Sequence, residues 1–347
     1  MKTQPDPDTY FPEAKIGGRY EVLGLIGTGG SALVFRAYDE MSDEVVALKT
    51  LRLPENLEHR KAFAAEATLL KKIDHENVVS FRDFFTEEDG RDWMVMDYVA
   101  GTDLEKIMES VNSSPMNAET FEKIAAQALN ALDALHRDDV LHLDIKPQNI
   151  LVNHIAETGT LKVTLIDFGA STTTCSADQD CLSQRSGSIF YTSPESFSGK
   201  TRGKASDIYS LGCVFYFLLT GREPFEGDND VEVMASHLMN RVIPLGAARK
   251  DLPWNIITMV SQMLAMEMKD RPSSALDVWS NLSDRTGALS NGKMATAGGT
   301  AFLPVARRGG TAPSERKTQK APIRRDLVPT LDRPIAPFKS VQKVNFS

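Results

Sequence analysis

The chain has 347 residues, 41% of them hydrophobic and 25% charged, with a formal net charge of −8. That length suggests roughly two compact units, and that composition excludes a wholly disordered or fibrous chain. No apolar run approaches the ~18 residues that a membrane-crossing helix needs, and the opening MKTQPDPDTY lacks the apolar core of a secretory signal, so a cytoplasmic protein without a transmembrane segment is expected. Three cysteines are too few for a disulfide framework and fit a reducing compartment.

Residues 1–18 carry prolines and no helical period, and read as a leader. From Arg19 to about Asp97 the pattern is strand-rich. Tyr20–Ile26, Ala32–Tyr38 and Glu44–Leu51 are short β-type runs separated by Gly, Asp and Ser. Glu58–Ile73 reads as one helix with Phe63, Leu70 and Ile73 on a common face. Phe81–Phe85 and Trp93–Tyr98 are further strands. From Asp103 the pattern turns mostly helical: Phe121–His136, Ser206–Thr220, Val231–Met239, Trp254–Met263 and Ser274–Leu282, with no internal repeat. The longest apolar stretch, Val214–Leu219, reads as buried helix. The last helix ends near Asp284.

Residues 285–347 form a basic tail rich in Gly, Pro, Ala and Thr. From Thr286 onward it holds eleven Lys and Arg against Glu315, Asp326 and Asp332, a net +8, which leaves −16 for the rest. With three aromatics it cannot bury enough apolar surface to offset chain entropy, and is expected to be disordered. It is either merely solvated or binds an acidic surface, a nucleic acid or its own acidic domain. The acidic body argues against nucleic acid as the main partner.

Three constellations carry chemistry. Gly27-Thr28-Gly29-Gly30-Ser31-Ala32-Leu33-Val34 follows a strand, and glycines let a backbone approach phosphates closely. Because the residues after it look like a second strand rather than a helix, the loop is either a plain hairpin turn or a phosphate lid, not a dinucleotide-fold turn. Val45-Val46-Ala47-Leu48-Lys49 ends an apolar strand in a cation. Glu66 lies on the apolar stripe of the next helix, where a carboxylate is costly unless paired. Either Lys49 pairs with it and presents an ammonium to phosphate oxygens, or Glu66 sits at the stripe's edge and reaches water. In the third constellation, Asp144 and Asn149 stand five apart on a loop held by Pro147, and Asp167 ends the strand-like Val163–Ile166. Two acids and an amide at strand or loop ends suit hard oxygen ligation of Mg2+. Phosphoryl transfer needs metal charge, a lysine and an acid that orients the attacking hydroxyl.

In this order, the motifs resemble the eukaryotic-type protein kinase family from about Tyr20 to Leu282. The elements are the glycine loop, Val46-Ala47-Leu48-Lys49, Glu66, His142-Leu143-Asp144 with Asn149, Asp167-Phe168-Gly169 and Ser193-Pro194-Glu195. Asp207-Ile208-Tyr209-Ser210-Leu211-Gly212 resembles the family's central-helix segment, and Arg271 the arginine that pairs with Glu195. Asp144-Ile145-Lys146-Pro147-Gln148-Asn149 and Gly187-Ser188-Ile189-Phe190-Tyr191 resemble the serine/threonine subclass. Pro224-Phe225-Glu226-Gly227 through His237-Leu238 looks most like bacterial members.

The resemblance implies an α+β kinase domain over residues 19–284. Its β-rich N-lobe with one main helix would cover about 19–97 and its α-rich C-lobe about 100–284. It implies ATP and Mg2+, with Mn2+ as a substitute, a protein acceptor with a Ser or Thr hydroxyl, and autophosphorylation, for which Thr311 and Thr330 follow arginine pairs. Asp144 would orient the acceptor hydroxyl, and Lys146 would steady the transferring phosphate. Lys49, oriented by Glu66, would hold the α- and β-phosphates, and Asn149 and Asp167 would bind the metal. Ile26 and residues Gly27 to Val34 would cover the nucleotide, with Val34 and Ala47 on the adenine and Met96 guarding the back pocket. Asp97 and Val99 would offer backbone hydrogen bonds, and Asp103 and Leu151 complete the nucleotide set.

The chain departs from the family's pattern in three places. Ala32 replaces the third glycine. Leu143 replaces the arginine that usually pairs with an activation-segment phosphate, so activity is expected not to depend strongly on phosphorylation there. Cys175 and Cys181 fall in that segment, as two ordinary thiols or as a redox pair. The alternative function is a kinase-like signalling scaffold without catalysis; a small-molecule kinase of related fold is a third reading. His75 is expected to cap the turn after the Glu66 helix, and Trp93, Trp254 and Trp279 to serve as packing residues.

Overall fold

Strict alternation in the first strands sets two faces of one sheet. Leu33, Phe35 and Ala37 of the strand Ala32–Asp39, Val46 and Leu48 of Glu44–Leu51, and Trp93 and Val95 of Asp92–Asp97 bury one apolar cluster. Ala47, Met94 and Met96, on the opposite face, join the main core. Lys49 shares the face of Ala47, so its side chain is delivered to the side where the main core lies.

A computed structural model describes residues 15–155, 160–169, 171 and 189–280. The chain divides into two units between Gly292 and Lys293. The second unit lies wholly outside the described residues, as do the rest of the tail and residues 1–14. The first sheet has six antiparallel strands in the order β1-β2-β3-β4-β6-β5: β1 Lys15–Ile16, β2 Tyr20–Thr28, β3 Ala32–Asp39, β4 Glu44–Leu51, β5 Phe81–Thr86 and β6 Asp92–Asp97. The folded part thus begins earlier than Arg19: Ile16 is buried and pairs with Tyr20. A second sheet joins β7 Thr102–Asp103, β8 Ile150–Ile155 and β9 Thr160–Leu165.

Helix α1, Leu57–Leu70, starts at Asn56, whose side chain accepts from the Glu58 and His59 backbone N–H groups. Its buried stripe is Phe63, Glu66, Ala67 and Leu70. It ends three residues before Ile73 because Lys72 and Ile73 donate to Leu69 and Leu70, a tighter three-residue spacing that closes the helix. His75 then accepts from the Asn77 N–H at 3.2 Å and helps turn the chain into the next strand.

The C-terminal part is helical. Helix α2, Leu104–Ser110, is capped by Asp103; α3 is Ala118–Arg137, α4 Pro194–Phe197, α5 Lys204–Thr220, α6 Asp230–Leu238, α7 Leu245–Ala248 and α8 Trp254–Met263, with a last helical stretch at 275–280. Every residue of α5 from Ser206 to Leu219 is buried. Phe215 meets Phe121 of α3 edge to face at 5.1 Å. Gly212 lets α8 close in, since a Cβ there would lie 2.8 Å from Met263 Cβ. Gly221 ends α5 with φ +74°, and a Cβ would collide with the Ser113 carbonyl at 1.8 Å. Trp93 is buried and Trp279 packs on the core, but Trp254 is 72% exposed, contrary to expectation. It opens α8 directly after Pro253, on a turn whose buried positions are Asn255 and Ile256. Among the described residues no helix is long and apolar enough to cross a membrane.

Candidate active site

The strand register lines up one row of expected site residues. Gly27 faces Val34, Val34 faces Lys49, and Lys49 faces Met94 across β2, β3, β4 and β6. The Lys49 ammonium lies 2.6 Å from Glu66 Oε1 and 2.8 Å from Asp167 Oδ1. Of the two open readings of Glu66, the paired one holds. Burial alone would lower the Lys49 pKa, but Asp167 and Glu66 outweigh it and hold the ammonium charged, above the ordinary lysine value. The two carboxylates differ in access: the Glu66 side chain is 5% exposed and that of Asp167 42%. Asp167 has φ +63°, a left-handed conformation that costs a non-glycine residue energy, and its Oδ1 also accepts from the Gly169 N–H at 3.3 Å.

The loop between α3 and β8 gathers the second group. Asp144 Oδ2 accepts from Lys146 Nζ at 3.0 Å and from Asn149 Nδ2 at 3.2 Å. The same Asn149 amide donates to the Asp144 carbonyl at 2.8 Å, which closes the loop through a 3-10 turn at Pro147–Asn149. Ile166 N–H donates to the Asn149 carbonyl, so Asp167 follows the same hydrogen-bonded backbone. With its NH2 committed to Asp144, Asn149 turns its amide oxygen to the other side.

Asp207 holds this loop from below. Fully buried in α5, it accepts from the backbone N–H of His142 at 2.9 Å and of Leu143 at 2.8 Å, and from His136 Nε2 at 2.9 Å. Burial pushes its carboxyl up, but these donors prevail and hold it below the usual aspartate value. Leu143 has φ +60°, and the bond to Asp207 offsets that strain. His142 is buried, which pushes its pKa down, and its ring packs on Phe168 at 4.9 Å. The sequence matched Asp207 to a family segment without its role. The available signal was an acid inside an otherwise apolar helix, where only paired carboxylates persist.

The remaining expected residues separate into two groups. Val34, Ala47, Met96 and Val99 belong to one apolar cluster; Ala47 faces Met96 across β4 and β6, and Asp103 faces Leu151 across β7 and β8. Ile26 is exposed, and Gly29 N–H closes the glycine hairpin on the Ala32 carbonyl at 2.9 Å. Leu33, in contrast, points into the opposite cluster with Phe35 and Trp93. Asp97 N–H is taken by the Ser80 carbonyl at 3.0 Å. Asp103 accepts from the Lys106 N–H and ammonium as the α2 cap. Thr28, Gly30 and Ser31 complete the hairpin.

In the helical part, Arg271 grips Glu195 with both terminal nitrogens at 2.8 Å and donates to the carbonyls of Ala205, Ala265 and Met266. Their side chains are 0% and 3% exposed. Burial raises the Glu195 pKa, but Arg271 overrides it and holds the carboxyl below its usual value. Gln148 donates to Glu105 Oε1 at 2.6 Å, tying the loop after Asp144 to α2. Cys175, Cys181, Ser188, Thr311 and Thr330 lie outside the described residues.

One amide oxygen and one half-exposed carboxylate suit Mg2+, which takes one or two protein ligands and completes its shell with water and phosphate. Among the described residues there is no cluster of three or more His, Cys, Asp or Glu able to cage a metal.

A family model described as the protein kinase domain matches residues 20–281. The chain is 35% identical over 266 residues to the serine/threonine-protein kinase PrkC of Bacillus subtilis, covering 76% of this chain and 40% of that protein. It is 36% identical over 284 residues to the serine/threonine-protein kinase pkn3 of Myxococcus xanthus, covering 79% and 51%, and 34% identical to a probable serine/threonine-protein kinase PknB of Bifidobacterium longum, covering 77% and 39%. The chain spans about half the length, or less, of these curated relatives. It belongs to the protein kinase family, and the relatives named here are bacterial serine/threonine kinases.

Proposed function

We propose that this chain transfers the γ-phosphate of ATP to serine or threonine hydroxyls of a protein acceptor. The observation that carries the reading is the Lys49 ammonium held between Glu66 and Asp167, residues 17 and 118 positions away. A buried cation with one shielded and one half-exposed partner is placed to meet phosphate oxygens where the exposed side opens.

In this reading Lys49 fixes the α- and β-phosphates, and Glu66 fixes Lys49. Val34, Ala47, Met96 and Val99 form the apolar slot for adenine. With its N–H committed to Ser80, Asp97 contributes its carbonyl, and Val99 contributes its N–H. Ile26 and the hairpin Gly27–Ala32 cover the phosphates, Leu33 contributing backbone only. Asp103 and Leu151 border the ribose. Asp144 orients the acceptor hydroxyl and receives its proton as the new P–O bond forms and the bond from the γ-phosphorus to the β–γ bridging oxygen breaks; ADP leaves. Lys146, already bonded to Asp144, neutralises charge on the moving phosphoryl group. Asn149 and Asp167 would hold Mg2+, whose charge stabilises the phosphate oxygens; Mn2+ meets the same oxygen donors. Autophosphorylation follows where a Ser or Thr of the chain reaches Asp144.

Leu143 adds a regulatory reading. A leucine there offers no charge to a phosphorylated activation segment, and its backbone is fixed by Asp207 instead. Catalysis then proceeds without that phosphate.

Transfer of label from γ-labelled ATP to a basic protein, with Mg2+, tests the function. Asp144→Asn is expected to lower transfer by about 10²–10⁴-fold while nucleotide still binds. Undiminished transfer in that variant would refute the assignment.

A further inference from the structure

Helix α1 meets the first sheet through charge at two places, and the chemistry above uses only one of them. Lys49 faces Met94 across β4 and β6, so Asp92, two residues before Met94, shares the face of Lys49. The Asp92 side chain is 7% exposed and is gripped from α1 by Arg60. Arg60 Nε lies 2.7 Å from Oδ2, and Nη2 lies 2.9 Å from Oδ1. The Thr86 hydroxyl donates to the same Oδ1 at 2.7 Å. The Asp92 carbonyl accepts from the Thr50 hydroxyl at 2.8 Å, beside Lys49 on β4. Burial would raise the Asp92 pKa, but Arg60 and Thr86 prevail and hold the carboxyl below its usual value.

The rest of α1 leaves its position loosely specified. Before Phe63 the helix buries no side chain, and Leu57 is exposed. Its apolar stripe, Phe63, Ala67 and Leu70, makes contacts that are not directional. The charges are directional, and their polarity is crossed. The sheet presents a cation at Lys49 and an anion at Asp92; the helix presents an anion at Glu66 and a cation at Arg60. Arg60 and Glu66 stand six residues apart, about 9 Å along the helix axis. A shift of α1 that carried Arg60 toward Lys49, or Glu66 toward Asp92, would set like charges together. Two crossed pairs on one rod thus fix both its height and its rotation.

We infer that Arg60 and Asp92 are positioning residues for phosphoryl transfer: they set the register of α1, which keeps Glu66 on Lys49 and the ammonium where phosphate oxygens meet it. The Arg60 side chain is 35% exposed, and a pair open to water on one side adds little stability; what it supplies is register. Without it α1 shifts, a smaller fraction of chains holds the Lys49–Glu66 pair closed, and kcat falls in proportion, while KM for protein stays. The device lies wholly within the first sheet and its helix, so it calls on no phosphate in the segment after Asp167. The inference rests on the kinase reading and deepens it, by assigning the alignment of Lys49 to two residues that act through Glu66.

The test compares Arg60→Gln, Arg60→Lys and Asp92→Asn in the full chain, and Arg60→Gln again in a Glu66→Gln background, with steady-state transfer from γ-labelled ATP to a basic protein and thermal melting alongside. Arg60→Gln and Asp92→Asn should each lower kcat about tenfold, the factor carried by one hydrogen bond to a charged group, with KM for protein near wild type. Arg60→Lys, which keeps the charge, should recover most of the loss. In the Glu66→Gln background Arg60→Gln should cost nothing further, because the register then has no pair to serve; a merely structural role would add its full factor there. If Asp92→Asn does not fold, Arg60→Gln decides, since it alters a side chain that reaches the surface. Wild-type kcat in folded Arg60→Gln overturns the inference, as does a further tenfold loss in the Glu66→Gln background. A wild-type chain that labels no protein overturns the kinase reading itself.

Discussion

Two buried ion pairs, one in each part of the chain, use the same chemistry to opposite ends. Arg271 and Glu195 are sealed: every hydrogen-bond partner of the guanidinium is a carboxylate or carbonyl of the protein, and both side chains are almost wholly buried. Lys49 and Glu66 are buried too, but the lysine's second partner, Asp167, is half exposed. A sealed pair can only hold structure, since nothing can exchange with its partners. A pair with one open side keeps a charge ready for a ligand. The open side, not the pairing, separates the site from the scaffold.

Exchanging the two cations tests that contrast most strongly. Lys49→Arg keeps the charge but replaces a point ammonium with a planar fork; transfer is expected to fall about 10²–10³-fold, while the melting temperature stays within a few degrees. A variant with normal transfer would show that the ammonium's position is immaterial. Arg271→Lys should do the reverse. Disrupting a buried pair costs about 3–5 kcal/mol, which lowers the melting temperature by roughly 6–20 °C at this size, with transfer per folded molecule largely kept. An unchanged melting temperature would mean the sealed pair holds nothing.

The pH dependence separates two buried groups within the helical part. Burial pushes the His237 pKa down to about 3. The unfolded imidazole takes a proton as pH falls through about 6.5 and the folded one does not, so this stability is full above that value and declines below it. At pH 5 the loss is about 2 kcal/mol, and His237→Gln should reduce the fall in melting temperature between pH 7 and 5. Glu195 behaves differently. Its lowered pKa supplies stability that persists above the ordinary glutamate value and fades only in more acidic solution. Melting that is flat to pH 5 in the unaltered chain would contradict the buried neutral histidine.

The smallest effect concerns the segment after Asp167. Replacing Thr172, Thr173, Thr174, Ser183 and Ser186 together by alanine should change the transfer rate by no more than about twofold, because Leu143 offers no charge to a phosphate there. A large drop, rescued by acidic replacements, would show that another cation has taken the missing arginine's place.

Much of this was legible in the chain because the two periods differ. Alternation in Ala32–Tyr38 and Glu44–Leu51 put Lys49 on the inner face, and the spacing of Phe63, Glu66 and Leu70 put a carboxylate on the stripe it meets. Short elements were less legible: β1 is two residues long, and α2 depends on a cap at Asp103 rather than on a long apolar stripe. Trp254 was misplaced because its size suggests packing, whereas the turn on which it stands decides exposure. Asp207 could be matched but not explained, since the amides it binds lie some 65 positions earlier and no local pattern connects them.

That separation bears on synthesis. A chain emerging from the ribosome presents the glycine hairpin, Lys49, Asp144, Asn149 and Asp167 well before Asp207. Until that carboxylate arrives, the His142 and Leu143 amides lack their anchor and the left-handed turn at Leu143 is uncompensated. The loop carrying Asp144 can therefore settle only after most of the domain has been made, so a nascent fragment that ends before Asp207 holds Lys49, Asp144, Asn149 and Asp167 without the anchor of their loop.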